Sequence, residues 1–173
     1  MKIVLIGYMG SGKTTIGKKM ADKLKFDFLD LDDYIIESEG MAIRDIFKEK
    51  GELYFRKKEH EYLDEVLTTE QNLVLSTGGG TPCYGKNMET ILKNTPNAFY
   101  LRVSIKELAQ RLSKEKEYRP LIKNIPDDDL PEFVGKHLFE RSFFYSKAAH
   151  TIMCDNKEPE DIIKEIEVLI TSA

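Results

Sequence analysis

Tryptophan is absent from this chain, cysteine occurs twice, and no apolar run is longer than a β-strand. A membrane-spanning helix needs about 20 consecutive apolar residues, so none is expected. Cys83 and Cys154 lie far apart and lack metal-ligand spacing, which argues against a disulfide scaffold or a thiolate metal site. Two reduced thiols are the expectation. Basic runs are missing too, and the net charge of -4 argues against a nucleic-acid partner. An apolar strand begins almost at Met1, leaving no room for a signal peptide. A cytoplasmic protein with no membrane partner is therefore expected. Arginine is also scarce, at six residues against 20 lysines. Arginine is the side chain for planar, bidentate recognition of phosphate and carboxylate, so each of the six is worth locating. They are Arg44, Arg56, Arg102, Arg111, Arg119 and Arg141.

What is present is a chain of 173 residues, 41% hydrophobic and 32% charged, which predicts a single domain over residues 1–173 with a real core. Near its start, Gly7-Tyr8-Met9-Gly10-Ser11-Gly12-Lys13-Thr14 fits G-x-x-x-x-G-K-[ST], a phosphate-cradling loop. Lys2-Ile3-Val4-Leu5-Ile6 reads as a buried strand leading in, and Ile16, Met20, Ala21 and Leu24 give the following segment one apolar helical face. Strand, glycine-rich turn and helix N-terminus together surround an anion with backbone N–H groups. Gly10, Ser11, Gly12, Lys13, Thr14 and Thr15 are the expected nucleotide contacts. Lys13 supplies a cation for the terminal phosphates, and the Thr14 hydroxyl is placed to ligate Mg²⁺.

Strand-like runs recur at residues 2–7, 26–31, 72–76, 98–103 and 150–154. Helical patterns fill the gaps around 14–25, 52–68, 104–115, 131–148 and 159–170. This alternation predicts an α/β fold, with a parallel sheet covered by helices on both faces. Residues 113–130 are charged, interrupted by Pro120 and Pro126, and poor in core residues. They read as a lid that carries Arg119 to a nucleotide.

The second strand runs into Asp30-Leu31-Asp32-Asp33. Strand alternation puts Asp30 and Asp32 on one side, at the sheet end that holds the phosphate loop. One carboxylate can hold Mg²⁺ through its water shell, and the other can accept a proton from an attacking hydroxyl. Asp33 reads as the N-cap of a helix starting near Tyr34. The third strand ends in Ser76 and Thr77 rather than the usual aspartate, so Asp30 must supply the acid at the metal. Gly78, Gly79 and Gly80 follow, and allow close approach of backbone to a ligand. Arg56 and Arg141 sit on helical segments, where spacing alone assigns neither a ligand.

In combination, GYMGSGKTT, LDLDD, IFKEKGELYFRKKE, STGGG, YRPLI and ERSFFY resemble the shikimate kinase family, in order and over essentially the whole chain. The resemblance implies a three-layer α/β/α P-loop kinase fold with a five-stranded parallel sheet and a mobile lid. It implies transfer of the ATP γ-phosphate, with Mg²⁺, to the 3-hydroxyl of shikimate, a step in aromatic amino-acid synthesis. Lys13, Asp32 and Arg119 are the implied catalytic residues, and Asp32 is the base. Arg56 and Arg141 are implied to clamp the shikimate carboxylate, with Gly78, Gly79 and Gly80 lining the substrate and residues 32–62 forming its segment. Arg111 is implied to lie against adenine, and Thr14 and Asp30 to serve the metal.

Two stretches depart from the family pattern. Thr81-Pro82-Cys83 stands where a small residue and valine are expected, and Asn156-Lys157-Glu158-Pro159 lacks an adenine-contacting arginine. Lys157 or backbone is the substitute there. The alternative is another small-molecule P-loop kinase, such as a gluconate or nucleotide kinase, although a neutral sugar gives two arginines no carboxylate to bind. A GTPase switch requires N-K-x-D and D-x-x-G, and neither occurs. With no obvious exposed apolar stripe, a monomer is expected.

Overall fold

The computed structural model describes residues 1–171; the last two residues of the expected domain lie outside the described residues. Its strands are β1 (Lys2–Ile6), β2 (Asp27–Asp30), β3 (Leu73–Ser76), β4 (Ala98–Arg102) and β5 (His150–Met153). Its helices are α1 (Lys13–Leu24), α2 (Leu31–Glu39), α3 (Ile43–Lys50), α4 (Glu52–Thr69), α5 (Asn87–Asn94), α6 (Ile105–Ser113), α7 (Leu130–Tyr145) and α8 (Pro159–Thr171). The five strands form one sheet in the order β2-β3-β1-β4-β5, with every pairing parallel.

Ile3, Val4, Leu5 and Ile6 on central β1 are all fully buried. Side chains on a strand alternate between faces, so both faces must be covered, which is the α/β/α layering expected. Packing of α1 on β2 is close: a Cβ at Gly17 would meet the Phe28 ring at 2.6 Å. Strand β1 lies at the centre, with β3 and β4 on either side, and the chain reverses direction across it. A parallel sheet opens its ligand crevice at such a point, outside the carboxyl ends of the strands. The phosphate loop leaves β1 there, and the glycine run leaves β3 beside it.

Three details differ from expectation. Strand β2 stops at Asp30, and α2 begins at Leu31 with no intervening turn. Asp30 is itself the N-cap, accepting a hydrogen bond from the Asp32 backbone N–H at 3.2 Å. Asp33 is not the cap, and Asp32 reaches the crevice from the first helical turn rather than by strand alternation. Residues 113–130 also contain more core than their composition indicates. Short 3₁₀ turns at Lys116–Tyr118 and Asp127–Asp129 shape the segment, and Ile122 and Leu130 are fully buried. Among the described residues no helix is long and apolar enough to cross a membrane.

Candidate active site

Two cavities meet at the crevice. The larger, about 800 Å³, is lined by the phosphate loop, Asp30, Ser76, Arg111, Arg119 and the 156–159 segment. The smaller, about 300 Å³, is lined by Phe47, Phe55, Arg56, Glu59, His137 and Arg141, with the 78–80 glycines. Met9, Asp32, Gly78, Gly79 and Arg119 line both. Asp32 and Arg119 are thus the charged side chains at the junction of the two cavities.

The phosphate loop takes its shape from glycine. Gly10 and Gly12 have φ of 79° and 93°, in the left-handed region that side chains avoid. They turn the chain so that the N–H groups opening α1, which lack intrahelical partners, face the large cavity. Lys13 is buried and donates to the Gly7 and Tyr8 carbonyls at 2.9 Å each. Burial lowers its pKa to about 8, against the pull of Asp30 and Asp32. Its ammonium thus holds the loop while facing the phosphate position. Ser11 is buried and Thr15 exposed, and both line the cavity. Arg111 pairs with Glu107 and donates to the Gly10 carbonyl at 3.2 Å, tying α6 to the loop. Lys157 lines the same cavity, with its Nζ 2.5 Å from Glu165.

Thr14 Oγ1 donates to Asp30 Oδ2 at 2.9 Å, so one carboxylate both caps α2 and faces the loop. Ser76, the register partner of Asp30, has a buried Oγ with no hydrogen-bond partner among the described residues. Hydroxyl and carboxylate oxygens are the donor set that Mg²⁺ prefers. No cluster of three or more histidine, cysteine or acidic side chains among the described residues could hold a metal alone. Asp32 is half-buried, and burial pushes its pKa up to about 6, helped by the Asp30 and Glu59 carboxylates and opposed by Lys13.

Arg119, from the 113–130 segment, pairs with Glu115 through Nε at 2.7 Å. Arg56 and Arg141 approach the smaller cavity from α4 and α7. A Cβ placed on Gly80 would lie 3.5 Å from the Arg56 guanidinium, and one on Gly79 the same distance from Arg141. Backbone without side chains is what lets both cations close in on one small volume. The structure brings together every predicted site residue, in one cavity or both.

Sequence reasoning missed several residues around the smaller cavity. Glu59 is buried and accepts from Arg56 NH1 at 3.0 Å and from Thr81 Oγ1 at 2.8 Å. Its signal was available: Phe55, Glu59, Leu63 and Val66 share one helical face, and that face is buried. No local pattern pairs Tyr8 with His137, which form a hydrogen bond of 2.9 Å.

A parallel sheet of this order, with a lysine-bearing phosphate loop opening onto a second, arginine-flanked cavity, defines a P-loop phosphotransferase that acts on a small molecule. A family model described as shikimate kinase matches residues 9–171. The chain belongs to the shikimate kinase family, and so to the ATP-dependent kinases. It is 48% identical to a shikimate kinase of Flavobacterium psychrophilum, over 98% of each chain. The crystal structure of shikimate kinase from Bacteroides thetaiotaomicron is similar at a TM-score of 0.91 and 37% identity, covering 99% of this chain and 98% of that one. A shikimate kinase from Acinetobacter baumannii in complex with shikimate is similar at a TM-score of 0.86 and 32% identity, covering 99% of this chain and 93% of that one.

Proposed function

We propose that this enzyme transfers the γ-phosphate of ATP to the 3-hydroxyl of shikimate, giving shikimate 3-phosphate and ADP for aromatic amino-acid synthesis. The observation that carries the proposal is the junction: Asp32 and Arg119 line both a phosphate-binding cavity and a cavity flanked by two arginines. Nucleotide phosphates occupy the loop, with Lys13 and the N–H groups of residues 10–15 on their oxygens. Arg56 and Arg141 take the acceptor carboxylate, since guanidinium forks match its geometry. Gly78, Gly79 and Gly80 let the ring sit against backbone. Asp32 then faces the acceptor hydroxyl as an ionised carboxylate, positioned to orient it and receive its proton. Arg119 stabilises charge on the group in transit, and residues 113–130 close as a lid to exclude water. Mg²⁺, held from Thr14 and through water from Asp30, would neutralise charge on the phosphate oxygens. Arg111 lies at the base side of the nucleotide.

ADP release with Mg·ATP, offered shikimate, quinate, gluconate or AMP separately, tests the proposal. Turnover is expected with shikimate and not with gluconate or AMP, and Arg56→Ala and Arg141→Ala should each raise its KM steeply. Efficient turnover of a neutral sugar or nucleotide, or indifference to both arginines, would overturn the acceptor assignment.

A further inference from the structure

Tyr84 has no part in the chemistry above. It follows the turn Thr81–Cys83, and its ring lies against Arg56, with the guanidinium Cζ 3.5 Å from the ring centroid. Phe55 and Phe47 are farther from the same Cζ, at 5.0 and 5.8 Å. Among the described residues the guanidinium has one hydrogen bond in its own plane, from NH1 to Glu59 at 3.0 Å. Its Nε is buried without a hydrogen-bond partner among the described residues, since Glu52 Oε1 is 3.7 Å away. Glu59 therefore fixes one corner of the fork, and a planar platform is needed to fix its tilt.

The surroundings explain why tilt matters. Arg56 lines the small inner cavity and also an outer groove of about 670 Å³, shared with Leu53, Lys57, His60, Tyr84 and Lys86. Among the described residues Arg56 is the one that lines both. Without a backing it can swing outward, and ordering it again at each binding event would cost affinity. The turn that carries Tyr84 is itself fastened. Cys83 N–H donates to the Gly80 carbonyl at 2.9 Å, and Asn87 N–H to the Tyr84 carbonyl at 3.2 Å. The Asn87 side chain donates to the Thr81 carbonyl at 2.9 Å, and Thr81 Oγ1 donates to Glu59 at 2.8 Å. Ring and carboxylate thus share one rigid support, built on the Thr81-Pro82-Cys83 sequence that departs from the family pattern.

We propose that Tyr84 is a positioning residue for acceptor binding, its ring holding the Arg56 guanidinium so that the fork faces the substrate carboxylate. This rests on the reading that Arg56 binds that carboxylate. The attraction is of a cation for an aromatic face, so the ring matters and the hydroxyl, which has no hydrogen bond among the described residues, does not.

The test compares Tyr84→Ala, Tyr84→Leu and Tyr84→Phe, with Arg56→Ala as reference, by kcat, KM for shikimate, KM for ATP and thermal midpoint. Loss of the aromatic face in the Ala and Leu variants should raise the shikimate KM roughly three- to thirtyfold. Their kcat and ATP KM should stay within about twofold of the parent, and Tyr84→Phe should match it throughout. Leucine keeps the bulk, so the comparison survives if the alanine variant fails to fold. An unchanged shikimate KM in the leucine variant overturns the inference, as does a parallel rise in both KM values. If Arg56→Ala also leaves the shikimate KM unchanged, the carboxylate assignment itself has failed; if it raises that KM while the tyrosine variants are silent, only the role of Tyr84 has.

Discussion

The Tyr8 hydroxyl and His137 Nδ1 lie 2.9 Å apart, joining the second residue of the phosphate loop to the helix that walls the acceptor cavity. Burial raises the tyrosine to about 12 and lowers the histidine, with the Arg141 charge a smaller contribution to the latter. Both directions favour a neutral phenol donating to a neutral imidazole. Arg141 completes the group, its Cζ 5.6 Å above the Tyr8 ring.

Replacing Tyr8 with Phe removes that donor and leaves the ring in place. Thermal unfolding should show a loss of about 1 kcal/mol, the usual worth of one such bond. Because His137 faces the acceptor cavity and not the phosphates, the KM for shikimate should rise more than the KM for ATP. Equal shifts in both would mean that the bond braces the loop alone.

Asp32 sets the acid limb of the pH profile. Only its ionised form accepts a proton, and its pKa stands at about 6. The kcat/KM for shikimate should therefore fall about tenfold per pH unit below that value and level off above it. Stability runs the other way. The folded value lies above the ordinary 3.8, so the folded chain holds its proton more tightly. The stability this lends is complete below pH 4 and is lost as pH rises through 6. Asp32→Asn does not titrate, so at pH 7 it should be more stable than the parent by roughly 1–3 kcal/mol, while losing turnover. Denaturant melts of both proteins at pH 4 and pH 7 check the sign: the advantage of the asparagine must grow with pH.

Much of this was legible because the informative residues obey local rules. Gly10, Gly12, Lys13 and Thr14 belong to a fixed-spacing loop, and Ile3 to Ile6 form an apolar run that only a buried strand accommodates. The errors fall where tertiary context overrides local pattern. Leu31 reads as the end of a strand, yet it opens a helix because Asp30 can cap it. Leu121, Ile122 and Ile125 stand together between two prolines, too short a run to reveal that Ile122 is fully buried while Leu121 is exposed. Tyr84 and Arg56 are far apart in sequence, and no rule of spacing pairs them. Glu59 is the exception, a buried carboxylate whose helical face was readable and was passed over amid the charges of α4.

Gly78 gives a steric test of how tightly Asp32 is held. A Cβ there would lie 2.8 Å from Asp32 Oδ1 and 3.0 Å from Thr81 Oγ1, too close to stand. The backbone is not in the left-handed region, so Gly78→Ala should fold. Displacing the carboxylate should lower kcat by about 10²-fold, the scale set by a misplacement near 1 Å. Gly135→Ala is the control, since its Cβ would meet only Ile105, at 3.5 Å, and the residue lines neither cavity. A Gly78→Ala enzyme with parental kcat would remove Asp32 from the reacting centre.

Asp30 has two duties, and a single substitution separates them. As N-cap it accepts from the Asp32 N–H, and at the metal position it accepts from Thr14. Asparagine caps a helix as well as aspartate does, because the cap needs only a side-chain oxygen. It lacks the negative charge that holds the water shell of a divalent ion. Asp30→Asn should therefore keep its thermal midpoint while the Mg²⁺ concentration for half-maximal rate rises about 10- to 100-fold, the usual cost of losing an outer-shell partner. Titrating Mg²⁺ at fixed, saturating ATP and shikimate measures this directly. A fall in stability with an unchanged Mg²⁺ requirement would assign Asp30 to the helix alone. Asp32, which lines the same cavity, would then be the next carboxylate to supply the acidic contribution at the metal, and Asp32→Asn should in that case shift the Mg²⁺ titration as well as the turnover.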